Sequence, residues 1–178
     1  MFEYRRRLTA VVALSAAIAF TACLPQPADP PGMEPEPDGR TVVSTIPERI
    51  NLDALGRLPA FSHATRVGDQ IFVSGTLGTK PQSVELVDGG VGPETTQTMA
   101  NIEQILVAAG STLEHLAKCI VYLVDMGDFA TMNEAWLEAV GSSPPARATI
   151  GVNELALGAR VEIECTAARA GVPVPPEP

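Results

Sequence analysis

Residues 94–124 read ETTQTMANIEQILVAAGSTLEHLAKCIVYLV, and the two halves of this stretch have different periods. In the first half Met99, Ile102, Leu106 and Ala109 recur at helical spacing, while Gln97, Glu103 and Gln104 are polar. That pattern predicts a helix over Glu94–Ala109 with one apolar face. Gly110 stands where a helix stops, at the C′ position. In the second half Cys119 to Val124 is a continuous apolar run, which predicts a buried strand over Leu116–Val124.

Upstream, Thr65–Gly78 (TRVGDQIFVSGTLG) reads as a hairpin. Gly68-Asp69 is its turn, and Ile71-Phe72-Val73 is β-rich. The glycine in Ser74-Gly75 signals a bulge or a close backbone approach. Gly89, Gly90, Gly92 and Pro93 read as a loop. Downstream, Asp128 is placed to cap a second helix with Phe129, Met132, Trp136 and Val140 on one face. Gly141-Ser-Ser-Pro-Pro ends that helix, and Ala146–Val152 and Arg160–Ala167 are two further strands. The order β-β-α-β-α-β-β describes an α+β two-layer sandwich, two helices on a five- to six-stranded mixed sheet. Two helices cover only one face of such a sheet. The other face must be polar or meet another subunit, which points to an oligomer.

The ends of the chain are different in kind. Arg5, Arg6 and Arg7 precede an uncharged apolar run from Leu8 to Ala22, the pattern of an export signal over residues 1–22. Fifteen residues is short for a membrane span, which needs about 20. Phe20-Thr21-Ala22-Cys23 resembles a bacterial lipobox, in which Cys23 would be the lipidated first residue, although Phe20 stands where leucine is usual. Residues 23–41 are a proline-rich linker that cannot bury enough surface to order itself. The folded domain is expected over residues 42–170, with a disordered tail over 171–178. The expected location is the cell envelope, periplasm-facing or on the outer surface, with a lipid anchor as the sole membrane contact.

Composition excludes some partners. The 178 residues carry 12 Lys+Arg against 21 Asp+Glu, a net charge of -9. Loss of residues 1–22, with three Arg and one Glu, would make it -11. A surface that binds nucleic acid phosphates needs clustered cations, so no nucleic-acid partner is expected. Cys119 and Cys165 lie in apolar runs outside any CxxC pattern, and read as buried inert thiols or, in an exported protein, as a disulfide whose proximity the sequence cannot establish. His63 and His115 stand alone, so no metal site is indicated. Ser74 is not in a nucleophile elbow, and no GxGxxG or P-loop occurs.

The last two strands hold the candidate chemistry. Arg147 sits in Pro-Pro-Ala-Arg-Ala-Thr, just inside a strand. Glu162 and Glu164 alternate with Ile163 and Cys165, so both carboxylates share one sheet face. One reading is a solvated face with an Arg–Glu ion pair of little energetic value. The other is an Arg fork that grips a small carboxylate bidentately while an acid handles a water.

Six segments carry a resemblance: Arg66–Gly75 (RVGDQIFVSG), Thr98–Glu103 (TMANIE), Val121–Met126 (VYLVDM), Phe129–Asn133 (FATMN), Pro145–Ala148 (PARA) and Val161–Glu164 (VEIE). In this order and spacing, over about residues 59–169, the chain resembles the Rid (YjgF-type) enamine/imine deaminases. The resemblance implies a chorismate-mutase-like fold and a homotrimer with a barrel-like core and ligand clefts between subunits. It places the carboxylate-gripping arginine at Arg147 and the water-handling glutamate at Glu162. The substrate-binding positions fall on Phe61, Ser74, Gly75, Asn133 and Thr149. Phe61 stands where the family has a tyrosine, so any role of that hydroxyl is missing here. The implied activity is hydrolysis of 2-enamino/2-imino acids to 2-keto acids and ammonia, with no cofactor. The alternative is a non-catalytic trimer that binds small carboxylates at the envelope.

Overall fold

The computed structural model describes residues 46–56 and 59–171. The expected export signal, Cys23, the linker and the tail beyond residue 171 lie outside the described residues. Eight principal elements follow one another: β1 (Glu48–Ile50), β2 (Ala64–Val67), β3 (Gln70–Thr76), α1 (Val91–Ala108), β4 (Leu116–Leu123), α2 (Phe129–Val140), β5 (Ala146–Gly151) and β6 (Val161–Ala168). The strands form one sheet in the order β1-β2-β3-β6-β4-β5. The last strand, β6, inserts between β3 and β4 and is antiparallel to both, while β4 and β5 pair in parallel across the α2 crossover. The expected class, two helices on a five- to six-stranded mixed sheet, is what the chain adopts, with six strands.

Both helices lie on one face. Met99, Ile102, Ile105 and Leu106 from α1 and Met132 and Trp136 from α2 are buried against Ile71, Val121, Leu123, Val161 and Ile163 of the sheet. The helical spacing seen in the sequence is therefore the packing interface, and it holds the layers together at about 25 cal/mol for each Å² of apolar surface removed from water. The carboxylate of Glu94, buried in the first turn of α1, accepts the Arg160 N–H at 2.8 Å and so ties the helix to the entrance of β6.

Four local expectations change. α1 begins three residues earlier than its apolar period suggested, at Val91. Gly92 and Pro93 therefore belong to its first turn, where a missing N–H costs nothing because such N–H groups have no acceptor within the helix. Asp128 does not cap α2 through its side chain; it pairs with Arg160 at 3.5 Å. Asp125 instead accepts the Gly127 N–H at 2.8 Å and starts the 3-10 turn Met126–Asp128 that leads into the helix. Phe129, expected on the buried face, is 38% exposed at the rim of the helix layer. Cys119 and Cys165 are not thiols: they stand opposite each other in the β4/β6 register, with Cα atoms 4.1 Å apart, and form a disulfide.

Candidate functional site

The open face of the sheet carries the acids. Along β6 Val161, Ile163, Cys165 and Ala167 are buried, while Glu162 and Glu164 alternate with them on the uncovered side. Tyr122, opposite Glu162 in the register, donates its hydroxyl to Glu164 at 3.1 Å. Burial, and then the charge of Glu164, push the Glu162 carboxyl above the usual carboxylate range. Tyr122 is raised too, chiefly by burial and then by the hydrogen bond it gives to Glu164.

Glu162 also explains Gly75. The β3/β6 register shifts between Val73 and Thr76, so the expected bulge is present. A Cβ at Gly75 would land on the Glu162 carboxylate, so glycine leaves the space that the acid occupies. Next to it Ser74 donates its hydroxyl to the Ser62 carbonyl at 2.7 Å, and its N–H bonds to the His63 carbonyl at 3.0 Å. These bonds tie the bulge to the segment that carries Phe61, which is half exposed at the mouth of a cavity also bordered by Gly75. Phe61, Ser74, Gly75 and Glu162 thus form one group.

Arg147 forms another. It pairs in register with Cys119, whose side chain points into the helix-covered core, so Arg147 lies on the helix face of β5. Its guanidinium sits 5.1 Å from the ring centre of Trp136 and 5.7 Å from that of Phe129, both on α2. Such distances allow cation–π attraction. One terminal nitrogen donates to Asn133 Oδ1 at 2.7 Å. Two rings and one amide from a single helix therefore fix the orientation of the fork. Burial pulls the guanidinium below its ordinary value, but an arginine remains charged at neutral pH. Thr149 is two residues further along the same face of β5.

The predicted residues therefore fall into two half-sites on opposite faces of one sheet. Phe61, Ser74, Gly75 and Glu162 belong to one, and Asn133, Arg147 and Thr149 to the other. Among the described residues no ion pair joins Arg147 to Glu162 or Glu164, because each lies across the sheet from it. The sequence reading missed three contributors: Trp136 and Phe129, which it took as core, and Tyr122, which it left within an apolar run. The helical spacing of Phe129, Asn133 and Trp136 (i, i+4, i+7) was the available signal, since it stacks them on one face of α2.

Comparison with known proteins identifies relatives of this chain. Residues 52–169 match the family model described as Endoribonuclease L-PSP. The human 2-iminobutanoate/2-iminopropanoate deaminase is 39% identical over 128 residues, which cover 72% of this chain and 89% of that protein. The bovine protein of the same name is 44% identical over 107 residues, 60% of this chain and 78% of its own. The crystal structure of RidA from the Antarctic bacterium Psychrobacter sp. has 34% identity and a TM-score of 0.65, covering 68% of this chain and 98% of that one. A family match over most of the folded residues, together with the same fold, identifies the chain as a member of the endoribonuclease L-PSP family, that is, the Rid (YjgF-type) family.

Proposed function

We propose that the protein hydrolyses 2-imino acids, and the enamines in equilibrium with them, to 2-keto acids and ammonia. The observation that carries this reading is the Arg147 fork, held by Asn133 at 2.7 Å and flanked by two rings, with a carboxyl on the other face whose protonation is tuned upward. The names of relatives about 40% identical support it. The fork grips the substrate carboxylate and aligns the imine carbon, and orientation of this kind can remove several kcal/mol from a barrier. Glu162 accepts a proton from water as the new C–O bond forms. It returns that proton to the nitrogen of the resulting carbinolamine, and as the C–N bond breaks and ammonia leaves, the carbinolamine hydroxyl becomes the keto oxygen and gives its own proton to Glu162, which releases it to solvent. With Phe61 in place of a tyrosine, this proton transfer falls to Glu162.

The two halves can meet only across a subunit boundary, because within one chain they lie on opposite faces. Phe72 and Ile150 on the uncovered face are 43% and 45% exposed, apolar surface that a partner would cover. Both observations support the homotrimer, with clefts between subunits that each take Arg147 from one chain and Glu162 from its neighbour. Export to an envelope location, anchored through Cys23, is part of the same proposal. The Cys119–Cys165 disulfide supports it, since such bonds persist in oxidising compartments. Membrane fractionation with and without Cys23→Ala tests the anchor. The family's description as an endoribonuclease suggests RNA as a substrate, but a net charge of -9, falling to -11 without residues 1–22, opposes a phosphate-binding surface.

The deciding experiment measures ammonia release from imines generated in place by an amino-acid oxidase. The folded protein should accelerate hydrolysis well beyond buffer. Arg147→Ala should lower kcat/KM by about 10²-fold or more while the oligomer persists. Unaltered rates in that variant would overturn the mechanism.

A further inference from the structure

Next to the Glu162 half-site lies a cavity of about 170 Å³ that the mechanism does not use. Leu55, Phe61, Leu77, Val84, Ile105 and Leu157 line it, drawn from five separate segments of the chain. Its polar lining is already committed to the protein itself. Asn101 donates to the Leu77 and Thr79 carbonyls at 3.0 and 3.1 Å. His63 Nδ1 accepts the Leu52 N–H at 3.1 Å, Thr76 donates to the Ser74 carbonyl at 2.9 Å, and Ser83 accepts the Glu85 N–H at 2.9 Å. Most of the surface left to face a ligand is hydrocarbon, with one phenyl ring. Leu157 reaches the cavity from a left-handed backbone conformation, φ 61°, which is costly for a leucine and places an apolar side chain, 55% exposed, at the rim.

Size and position say what fits. An apolar cavity of about 150 Å³ lined by Leu, Ile and Phe is enough to take up benzene. Gly75 borders this cavity and also faces the Glu162 carboxylate, so the cavity opens beside the proposed reacting centre. We infer that it is the side-chain pocket of the substrate, and that the preferred imino acids are those with an aromatic or branched aliphatic side chain, such as the imines of phenylalanine and leucine. The reaction that supplies them must be an oxidation or elimination on an apolar amino acid. This inference rests on the deaminase reading given above.

The test separates the two. Imines of phenylalanine, leucine and alanine are generated by an amino-acid oxidase, and kcat/KM for hydrolysis is measured with the intact oligomer. A single methylene in an apolar pocket is worth about 10- to 200-fold, so the phenylalanine and leucine imines should each exceed the alanine imine by at least about tenfold. Val84→Trp, which fills the cavity from its exposed rim, should reduce the phenylalanine-to-alanine ratio about tenfold. Leu157→Gly, which removes lining and relieves the positive φ, should reduce it in the same direction without loss of folding. In parallel, calorimetry compares binding of 3-phenylpropionate and propionate, with the phenyl compound expected to bind more tightly. An alanine imine turned over as well as the larger ones, with no binding preference for 3-phenylpropionate, overturns the pocket inference and leaves the deaminase reading in place. No turnover of any imine, with tighter 3-phenylpropionate binding, overturns the deaminase reading and leaves the apolar pocket standing.

Discussion

Glu162 shows how one residue connects burial, charge and chemistry. Its carboxyl is raised by burial and by Glu164, so the folded state favours the protonated form. The stability that protonation contributes is fully present below the ordinary carboxylate range and is lost as pH rises through the higher folded value. Glu162→Gln, which mimics the protonated acid, should therefore raise the unfolding free energy at neutral pH, and Tm with it, by less than about 1 kcal/mol in free energy because solvent reaches the group. The gain should vanish in acid. Activity should move the other way: kcat falls about 10²- to 10⁴-fold, and the rising limb of the wild-type pH–rate profile, displaced above the usual carboxylate range, disappears. Thermal melts and pH–rate profiles of the two proteins measure both effects. Gly75 offers a second residue-scale test. In Gly75→Ala the new Cβ meets the end of a flexible side chain, so Glu162 can swing aside and the fold survives. Activity should drop far more than Tm. Gly78→Ala is the contrast: its Cβ would come 2.5 Å from the Glu94 carbonyl oxygen, against backbone that cannot swing. That change should destabilise by about 1–3 kcal/mol, visible in denaturant melts.

At the scale of elements, the pairing of β4 with β6 fixes the position of β5 and thus of Arg147, through the parallel β4/β5 register. The Cys119–Cys165 bond crosslinks that pair across a sequence separation of 46 residues. Chain-entropy arguments give about 4 kcal/mol for such a loop, with measured values for disulfides usually about 2–4 kcal/mol. Reduction, or replacement of both cysteines by alanine, should lower unfolding free energy by about that amount, as read from urea melts with and without reductant. Much of this element level was legible in the residues. The 3.6-residue spacing of Met99, Ile102 and Leu106 gave α1, and alternation in Val161–Cys165 gave the face of each side chain, because both follow from local backbone geometry. The start of α1 was misplaced because glycine and proline read as loop residues, yet the first turn tolerates both. The disulfide was open because strand partners 46 positions apart are chosen by sheet order, which no local pattern encodes.

In the proposed mechanism the two half-sites join at the scale of the whole molecule. If each cleft takes Arg147 from one subunit and Glu162 from the next, Arg147→Ala and Glu162→Gln proteins are each inactive but complementary. Unfolding and refolding them together at equal concentration should restore about a quarter of wild-type activity, since random assembly pairs an intact Arg147 with an intact Glu162 at one boundary in four. Sites built within a single chain would give no recovery. Phe72→Glu, on the uncovered face, should produce monomers by light scattering and abolish turnover with little change in the helix-covered core.

Periodicity, turns and charge pattern in the sequence determined the class of fold, the order of elements, most residues of the core, and Arg147 and the Glu162/Glu164 pair as the candidates for chemistry. Those properties depend on neighbours within about one helical turn or one strand. Only the tertiary structure decided which groups stand together. It set Phe129, Asn133 and Trp136 around Arg147, joined Cys119 to Cys165, emptied the space over Gly75 for Glu162, and placed the two half-sites on opposite sides of one sheet. Each of these depends on the order in which strands pair, and that order is a compromise among all the elements packed against the sheet rather than a property of any one segment.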